Sequence, residues 1–352
     1  MKFLHMVRAF GFAALATHSV TAHGQAPIEI EGNSGYLHPH LEFTVPQQLA
    51  GFVMTEAVTF DDDHFNVAIQ LQDDSEAATA TLYIYRTGLE DLRVWADRAT
   101  TVMLSNPQLG AVDIDGINMG NFTPPGGGGP DSGFLLVAPL EGKAVTSTGL
   151  AIFMHDGWLV KLRMSSNSLT PSALRPRIAQ MIAALDLPGV EQQLPVFRTM
   201  EDCPDNLAFK REAKMLRLDT VGSLLFGTIF SAAKEEEPIK RTAPQVACRE
   251  GLTDSYGVYR FDEADDSYAV AFGDAGISAS INKFDASGLF KPSKGFVVQL
   301  SDGVTLSVYP PFDRLPTPAQ AFSILDQIRP QVTVDVRPGG DGGSTINVSV
   351  PD

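Results

Sequence analysis

The sequence predicts an α+β protein of two domains, each a largely antiparallel β-sheet with flanking helices. The chain has 352 residues, which suits two domains of roughly 150 residues each. Short segments in which apolar and polar residues alternate, bounded by turn residues, recur along it as half-buried strands do. Each half also contains an amphipathic helix pattern after its strands.

The first residues have the pattern of a secretory signal. Lys2 and Arg8 precede the short apolar run at 9–16, and small residues typical of a cleavage site follow it. We therefore expect residues 1–22 to be a signal peptide, residues 23–40 to be a tether, and the protein to be periplasmic or secreted. The apolar run is about half as long as a membrane span, so no integral span is expected in the mature chain.

The charge balance excludes some classes of partner. Lys and Arg total 26 against 42 Asp and Glu, for a formal net charge of -16. A surface of this sign repels phosphate backbones and anionic lipid, so we expect neither nucleic acid nor a membrane surface as partner. A protein partner or a small ligand stays open, as does the oligomeric state.

Residues 41–187 form the first predicted domain. Strand-like segments such as GFVMTEAVTF and ATLYIYR precede a helix pattern at 89–104, whose apolar residues recur every three or four positions. Asp156-Gly157 then predicts a two-residue hairpin turn, and an amphipathic helix starting near Ser172 closes the domain. The glycine-rich stretch at 123–131 cannot be a regular element and is expected to be a mobile loop.

The same residues carry a resemblance to a known family. FTVPQQLAGF opens a meander, LYIYR precedes a helix, GWLVKLR is a late strand, and an amphipathic helix closes the unit. In these features residues 41–187 resemble the PsbP-like α-β sandwich, a family of small secreted or lumenal domains. The resemblance implies an antiparallel sheet flanked by helices and an accessory or protein-binding role, with no catalytic signature to carry over. The glycines at 126–129 and the second half of the chain depart from it.

A linker at 188–196 leads into the second predicted domain, residues 197–337. Five strand-like segments occur there: YGVYRF, YAVAF, ISASINKF, GFVVQLS and VTLSVY. Thr317-Pro318 then starts a helix, as Thr170-Pro171 does in the first domain. Residues 338–352 are a Gly-rich tail with a possible terminal strand.

The chain has two cysteines, Cys203 and Cys248. An even pair in an oxidising compartment favours a disulfide, and neither residue lies in a CxxC motif, so redox catalysis is not expected. A bridge between residues 45 positions apart would stabilise the fold by about 4 kcal/mol in the chain-entropy account. The bridge would also join the two ends of the segment that contains an uncharged apolar run at 221–233, whose role the sequence leaves open.

Three histidines are candidate metal ligands. His38 and His40 share one face of an extended segment, and His64 follows three consecutive aspartates, so together they could bind a divalent metal loosely. The alternative is a solvated tether and a charged loop tip. The ionisable residues of the hairpin HDGWLVKLR, His155 and Lys161 among them, are expected to decorate the surface.

The leading hypothesis is an exported, non-catalytic accessory or binding protein that needs no cofactor. A secreted hydrolase with dispersed catalytic residues is the first alternative, because the members of a Ser-His-Asp triad need not be near in sequence. Its catalytic residues are unknown, and GxSxG is absent. The second alternative is the weak metal-binding protein described above.

Overall fold

The structure is a computed structural model of the chain. It describes residues 25–30, 32, 34–73, 75, 77–191, 193–209, 211–216, 246–285 and 294–335. The predicted signal peptide (1–22), the apolar run at 221–233 and the Gly-rich tail (338–352) lie outside these residues. Within the described ranges, no helix is both long and apolar enough to cross a membrane.

The described part of the chain is mostly antiparallel β-sheet, as predicted, and contains three helices. These are α1 (Leu92–Leu104), α2 (Pro171–Ala183) and α3 (Pro318–Gln327). The hydroxyl of Thr170 caps α2 and that of Thr317 caps α3, each accepting a backbone N–H of the first turn. Because a proline at the next position loses no helical hydrogen bond, both Thr-Pro pairs start helices, as the sequence predicted.

The larger sheet, sheet 1, has ten strands among the described residues, and every strand pair in it is antiparallel. Its main path runs β1, β5, β6, β7, β12, β11, β10, β8, with β4 added to β5 and β9 added to β10. The strands are β1 (Ala26–Pro27), β4 (Gln48–Leu49), β5 (Phe52–Thr59), β6 (Asn66–Asp73), β7 (Ala78–Arg86), β8 (Ala111–Val112), β9 (Asn118–Phe122), β10 (Gly133–Glu141), β11 (Ser147–His155) and β12 (Trp158–Ser166). A separate hairpin pairs β2 (Tyr36–His38) with β3 (Phe43–Val45).

Side chains of sheet 1 alternate between two faces, as strand geometry requires. On β11, Ala151 and Phe153 belong to one hydrophobic cluster, whereas Leu150 and Ile152 belong to another. The first cluster also contains the apolar residues of α2 and of the β2–β3 hairpin. The second contains those of α1, together with Tyr259 from the other sheet. Both faces of sheet 1 are therefore covered.

The smaller sheet, sheet 2, has eight strands among the described residues, in chain order from β13 to β20. Its first pair, β13 and β14, is parallel, and the other pairs are antiparallel. The strands are β13 (Glu201–Asp202), β14 (Ala247–Leu252), β15 (Tyr256–Phe261), β16 (Tyr268–Phe272), β17 (Ile277–Asp285), β18 (Lys294–Ser301), β19 (Thr305–Val308) and β20 (Val332–Asp335). Their apolar side chains and those of α3 form a third cluster.

Buried polar contacts join α1 to sheet 2. The fully buried guanidinium of Arg98 donates hydrogen bonds to three backbone carbonyls at 2.7 to 2.9 Å. These carbonyls belong to Thr253, Asp254 and Gly273. A buried charge without such partners would cost several kcal/mol, so this arrangement holds the two sheets in one orientation.

The predicted disulfide between Cys203 and Cys248 is present. Cys203 directly follows β13, and Cys248 lies in β14, where it pairs with Glu201 across the parallel strands. The next residue, Arg249, donates to the carboxylates of Asp202 and Asp97 at 2.7 and 2.8 Å. The bridge therefore lies beside an ion-pair network that reaches α1.

Part of the segment predicted as a tether (23–40) belongs to the fold. β1 pairs with β5, and β2 pairs with β3. Tyr36 and His38 are buried because alternation along β2 turns both side chains inward. This portion is packed onto sheet 1 and is not a free tether.

Candidate functional site

A cavity of about 350 Å³ lies between α2 and the β9–β10 edge of sheet 1. Phe122, Thr123, Pro125 and Leu135 form its wall on the sheet side. On the helix side it is lined by Ala179, Ile182 and Ala183. The volume falls at the lower end of the range found for small-molecule sites.

Small residues on α2 create the cavity. Ala179 and Ala183 are one helical turn apart on the side of α2 that faces β9, and both remain exposed. The same helix approaches β11 closely, because a side chain at Gly149 would collide with Ile178. The helix packs closely at Ile178, while the small side chains of Ala179 and Ala183 leave an open space beside Ile182.

Glycine also shapes the sheet side of the cavity. Phe122 ends β9 and stands edge-on to Phe153, with ring centroids 5.8 Å apart. The tip of its ring lies against Gly133, where an added β-carbon would come within 2.6 Å of Cζ of Phe122. Gly133 therefore makes room for the ring of Phe122 beside the start of β10, where the ring forms part of the wall.

The glycine-rich loop behind this wall is held in place by backbone hydrogen bonds, in contrast to the predicted mobile loop. The N–H of Val190 donates to the carbonyl of Gly126, and that of Leu194 donates to the carbonyl of Gly128. All four glycines at 126–129 have positive φ angles, a conformation that favours glycine. The predicted linker (188–196) thus supplies the partners that fix this loop.

The lining of the cavity indicates what it can hold. Its one polar side chain is the hydroxyl of Thr123, which accepts a hydrogen bond from the N–H of Asp131 at 3.1 Å. No titratable side chain lines it. Such a surface can bind an apolar group by excluding water, at about 25 cal/mol for each Å² buried, but it offers no general acid, base or nucleophile.

The three histidines predicted as metal ligands do lie near one another, around Trp158 and Tyr36. The ring of His38 stands edge-on to Trp158 at 4.7 Å, that of His40 stacks on Phe65 at 4.3 Å, and Nδ1 of His64 lies 3.1 Å from the hydroxyl of Tyr36. Among the described residues, no group of three His, Cys, Asp or Glu side chains has the geometry to hold a metal ion. The structure brings the candidates together as an aromatic cluster.

His38 is fully buried within this cluster. Its Nδ1 accepts the backbone N–H of His40, and its Nε2 has no hydrogen-bond partner. Burial, with smaller contributions from the neighbouring His40 and His64, lowers the pKa of His38 from 6.5 to about 3. The solvated-tether interpretation does not hold for this residue, which is a neutral component of the core.

The expectation that His155 and Lys161 decorate the surface is wrong. Asp156 and Gly157 do form the predicted two-residue turn, and His155 pairs with Trp158 across it. The ring of His155, however, is covered by Gly126 of the glycine-rich loop, and burial lowers its pKa. Lys161 is buried against sheet 2. Both side chains are covered by segments distant in sequence, so the alternation of residues along the strands could not predict that they are buried.

No catalytic triad forms around the histidines of the described residues. The hydrogen-bond partners of His38, His40 and His64 are a backbone N–H, a backbone carbonyl and a tyrosine hydroxyl. Nε2 of His155 has none. In the part of the chain that the structure describes, no imidazole is oriented between a serine and a carboxylate as acyl-transfer chemistry requires.

The cavity was not predicted from the sequence, and the nearest signal was weak. In an amphipathic helix, Ala179 and Ala183 fall outside the apolar stripe and resemble ordinary exposed positions. Comparison with known proteins adds no further constraint, because no family model, no curated protein and no solved structure matches the chain.

Proposed function

We propose that this protein is an exported, non-catalytic binding protein that holds a small apolar ligand in the cavity between α2 and β9–β10. The observation that carries the proposal is the cavity of about 350 Å³, whose lining is apolar except for Thr123. Concave, mostly apolar sites with a few polar groups at their edge are typical of small-ligand binding.

The site favours binding over chemistry for two reasons. Its lining supplies no titratable group, and the four described histidines lie elsewhere in hydrogen-bonding arrangements that do not include a serine or a carboxylate. An accessory role of this kind agrees with what the PsbP-like resemblance of residues 41–187 implies. We propose that these residues are related to that family.

Two observations support export. The disulfide between Cys203 and Cys248 is of the kind that persists in oxidising compartments. The first 22 residues have the charge and apolar pattern of a signal peptide. We therefore place the protein in the periplasm or outside the cell.

We further propose that the chain is organised as two α+β domains with flanking helices, residues 41–187 and 197–337. In support, the apolar side chains of α3 cluster with those of sheet 2, while those of α2 cluster with sheet 1. The side chains of α1 cluster with both sheets, so α1 would serve as the contact between the domains.

Titration with the neutral fluorescent probe N-phenyl-1-naphthylamine tests the proposed function. Ala183→Trp should fill the cavity, and Ala173→Trp, on an exposed position of the same helix, is the matched control. We expect saturable binding by the wild type and by Ala173→Trp, reduced at least tenfold in Ala183→Trp. Equal binding by all three proteins, or no saturable binding by any, would refute the proposal.

A further inference from the structure

A positively charged side chain lies beside the cavity, outside its lining and one helical turn from Ala179. The guanidinium of Arg175 on α2 extends across β9, where its Nη1 donates to Oδ1 of Asn118 at 2.9 Å. Its Nη2 occupies the space beside Gly120, only 2.7 Å from where a β-carbon would be. The absence of a side chain at Gly120 therefore allows the guanidinium to lie against the strand.

The geometry of the two elements aligns this cation with the apolar cavity. Asn118, Gly120 and Phe122 alternate along β9 and so share one face of the strand, with about 7 Å between successive members. On α2, Arg175 precedes Ala179 by four residues, so the two are neighbours on the helix surface. The groove between β9 and α2 thus passes from a guanidinium at one end to the cavity at the other.

The charge of Arg175 is not neutralised within the described residues. Its hydrogen-bond partner is the uncharged amide of Asn118, and it takes part in no ion pair with a described carboxylate. This is notable in a chain with 42 acidic residues against 26 Lys and Arg. The guanidinium keeps donor groups free for an anion that enters the groove.

We propose that the ligand of this cavity is an apolar monocarboxylate, such as a medium-chain fatty acid. Its carboxylate would pair with Arg175 while its hydrocarbon body fills the space lined by Phe122, Leu135 and Ile182. The proposal rests on the function proposed above and adds the chemical class of the ligand. Guanidinium and carboxylate match in planar, two-point geometry, which is why arginine is suited to this head group.

The orientation of the proposed ligand and its single negative charge follow from the charges around the cavity. The backbone N–H of Asp131 donates to Thr123 at the far end of the cavity, so a ligand carboxylate there would lie near a residue of like charge. A head group at the Arg175 end avoids this. Because the whole protein carries a net charge of -16, a monoanion is preferred to a dianion such as a phosphate monoester.

Isothermal titration with three ligands of equal chain length tests the assignment: decanoate, decanol and decyl phosphate. We expect the full-length wild type to bind decanoate about tenfold more tightly than either of the others. Arg175→Gln should reduce decanoate binding to the level of decanol without changing decanol binding. Arg177→Gln is the matched control, because Arg177 is two positions away on α2 and lies over the ring of Phe52; it should behave as the wild type.

The possible failures are distinguishable. If decanol and decanoate bind equally and Ala183→Trp abolishes both, the cavity binds apolar ligands and the carboxylate assignment is wrong. If decyl phosphate binds most tightly, the head group is a phosphate, as in a lipid, and the assignment is again wrong. If none of the three ligands binds, both this inference and the proposed function are wrong.

Discussion

The ammonium Nζ of Lys161, on β12 of sheet 1, lies 2.9 Å from the carboxylate Oδ2 of Asp274 in the turn between β16 and β17. It also donates to the backbone carbonyl of Asp274 and lies over the rings of Tyr83 and Tyr85. Burial lowers the pKa of Lys161. Burial alone would raise the pKa of Asp274, but the charges of Lys161, Arg163 and Arg98, with the hydrogen bond from Lys161, together outweigh burial and lower this pKa. This ion pair joins the two sheets, with the ammonium of Lys161 buried and the carboxylate of Asp274 mostly buried.

Removing one member of this pair should destabilise the protein strongly. Lys161→Met leaves the carboxylate of Asp274 without its main partner, at an expected cost of roughly 3 kcal/mol in the free energy of unfolding measured in urea. Lys161→Met combined with Asp274→Leu should recover much of the loss, because no buried charge is then unpaired. Lys283→Met, which breaks an exposed pair with Asp266, should cost less than about 1 kcal/mol. Equal effects of the two single substitutions would show that the buried pair has no special role.

His38 should make the protein less stable as the pH falls. Its pKa is about 3 in the folded chain against 6.5 for an unperturbed imidazole, so between these values the unfolded state binds a proton that the folded state does not. The free energy of unfolding should decrease through this window by up to about 1.4 kcal/mol per pH unit, and His38 should contribute no pH dependence above it.

Urea unfolding between pH 7 and pH 4 checks this contribution. His38→Phe should give a shallower decline than the wild type, with the difference coming from the missing imidazole. Tyr36→Phe alters the same hairpin but keeps His38, and it should retain the wild-type slope. A slope unchanged by His38→Phe would mean that His38 can be protonated in the folded state.

The four histidines illustrate what the sequence could and could not reveal. It grouped His38, His40 and His64 as candidate metal ligands, and the structure places the three near one another but as part of an aromatic cluster. It did not reveal that His38 and His155 are buried, because they are covered by Trp158 and by the glycine-rich loop. Burial that depends on the packing of distant segments leaves no periodic signal in the chain.

The same distinction applies to the fold and to the cavity. Strand positions, helix starts at Thr170 and Thr317 and the Asp156-Gly157 turn follow local rules and were predicted. The cavity depends on which edge of sheet 1 faces Ala179 and Ala183, and strand order is a global property. Arg175 was not predicted as a site residue for the same reason.

Gly126 should tolerate a side chain less well than a glycine of the same backbone conformation in open space. Gly126 has φ +76° and Gly142 has φ +80°, but a β-carbon at 126 would lie 2.6 Å from the carbonyl oxygen of Pro188 and 2.8 Å from Cε1 of His155, whereas none is near at 142. Gly142→Ala should cost about 1 kcal/mol of backbone strain. Gly126→Ala should cost roughly 1–3 kcal/mol more, measured by urea unfolding.

This comparison tests whether the glycine-rich loop is fixed by the segment that follows α2. Similar losses in Gly126→Ala and Gly142→Ala would indicate that the loop moves away easily, as a mobile loop would.

The disulfide should contribute substantially to stability. In the oxidised protein, denaturation without a reductant should expose no reactive thiol, since Cys203 and Cys248 are bridged and the chain has no other cysteine. Replacing both by serine should lower the free energy of unfolding by about 2–4 kcal/mol. Two titratable thiols in the denatured, unreduced protein would contradict the structure at this point.

The most direct test of the cavity is photoaffinity labelling with an alkyl diazirine followed by peptide mass spectrometry. The account predicts that an apolar probe labels the segment 122–125, Leu135 and the end of α2 at 179–183, and that Ala183→Trp removes this labelling while Ala173→Trp does not. Labelling that is confined to other segments, or that persists unchanged in Ala183→Trp, would contradict the claim that this protein binds its ligand between α2 and β9–β10.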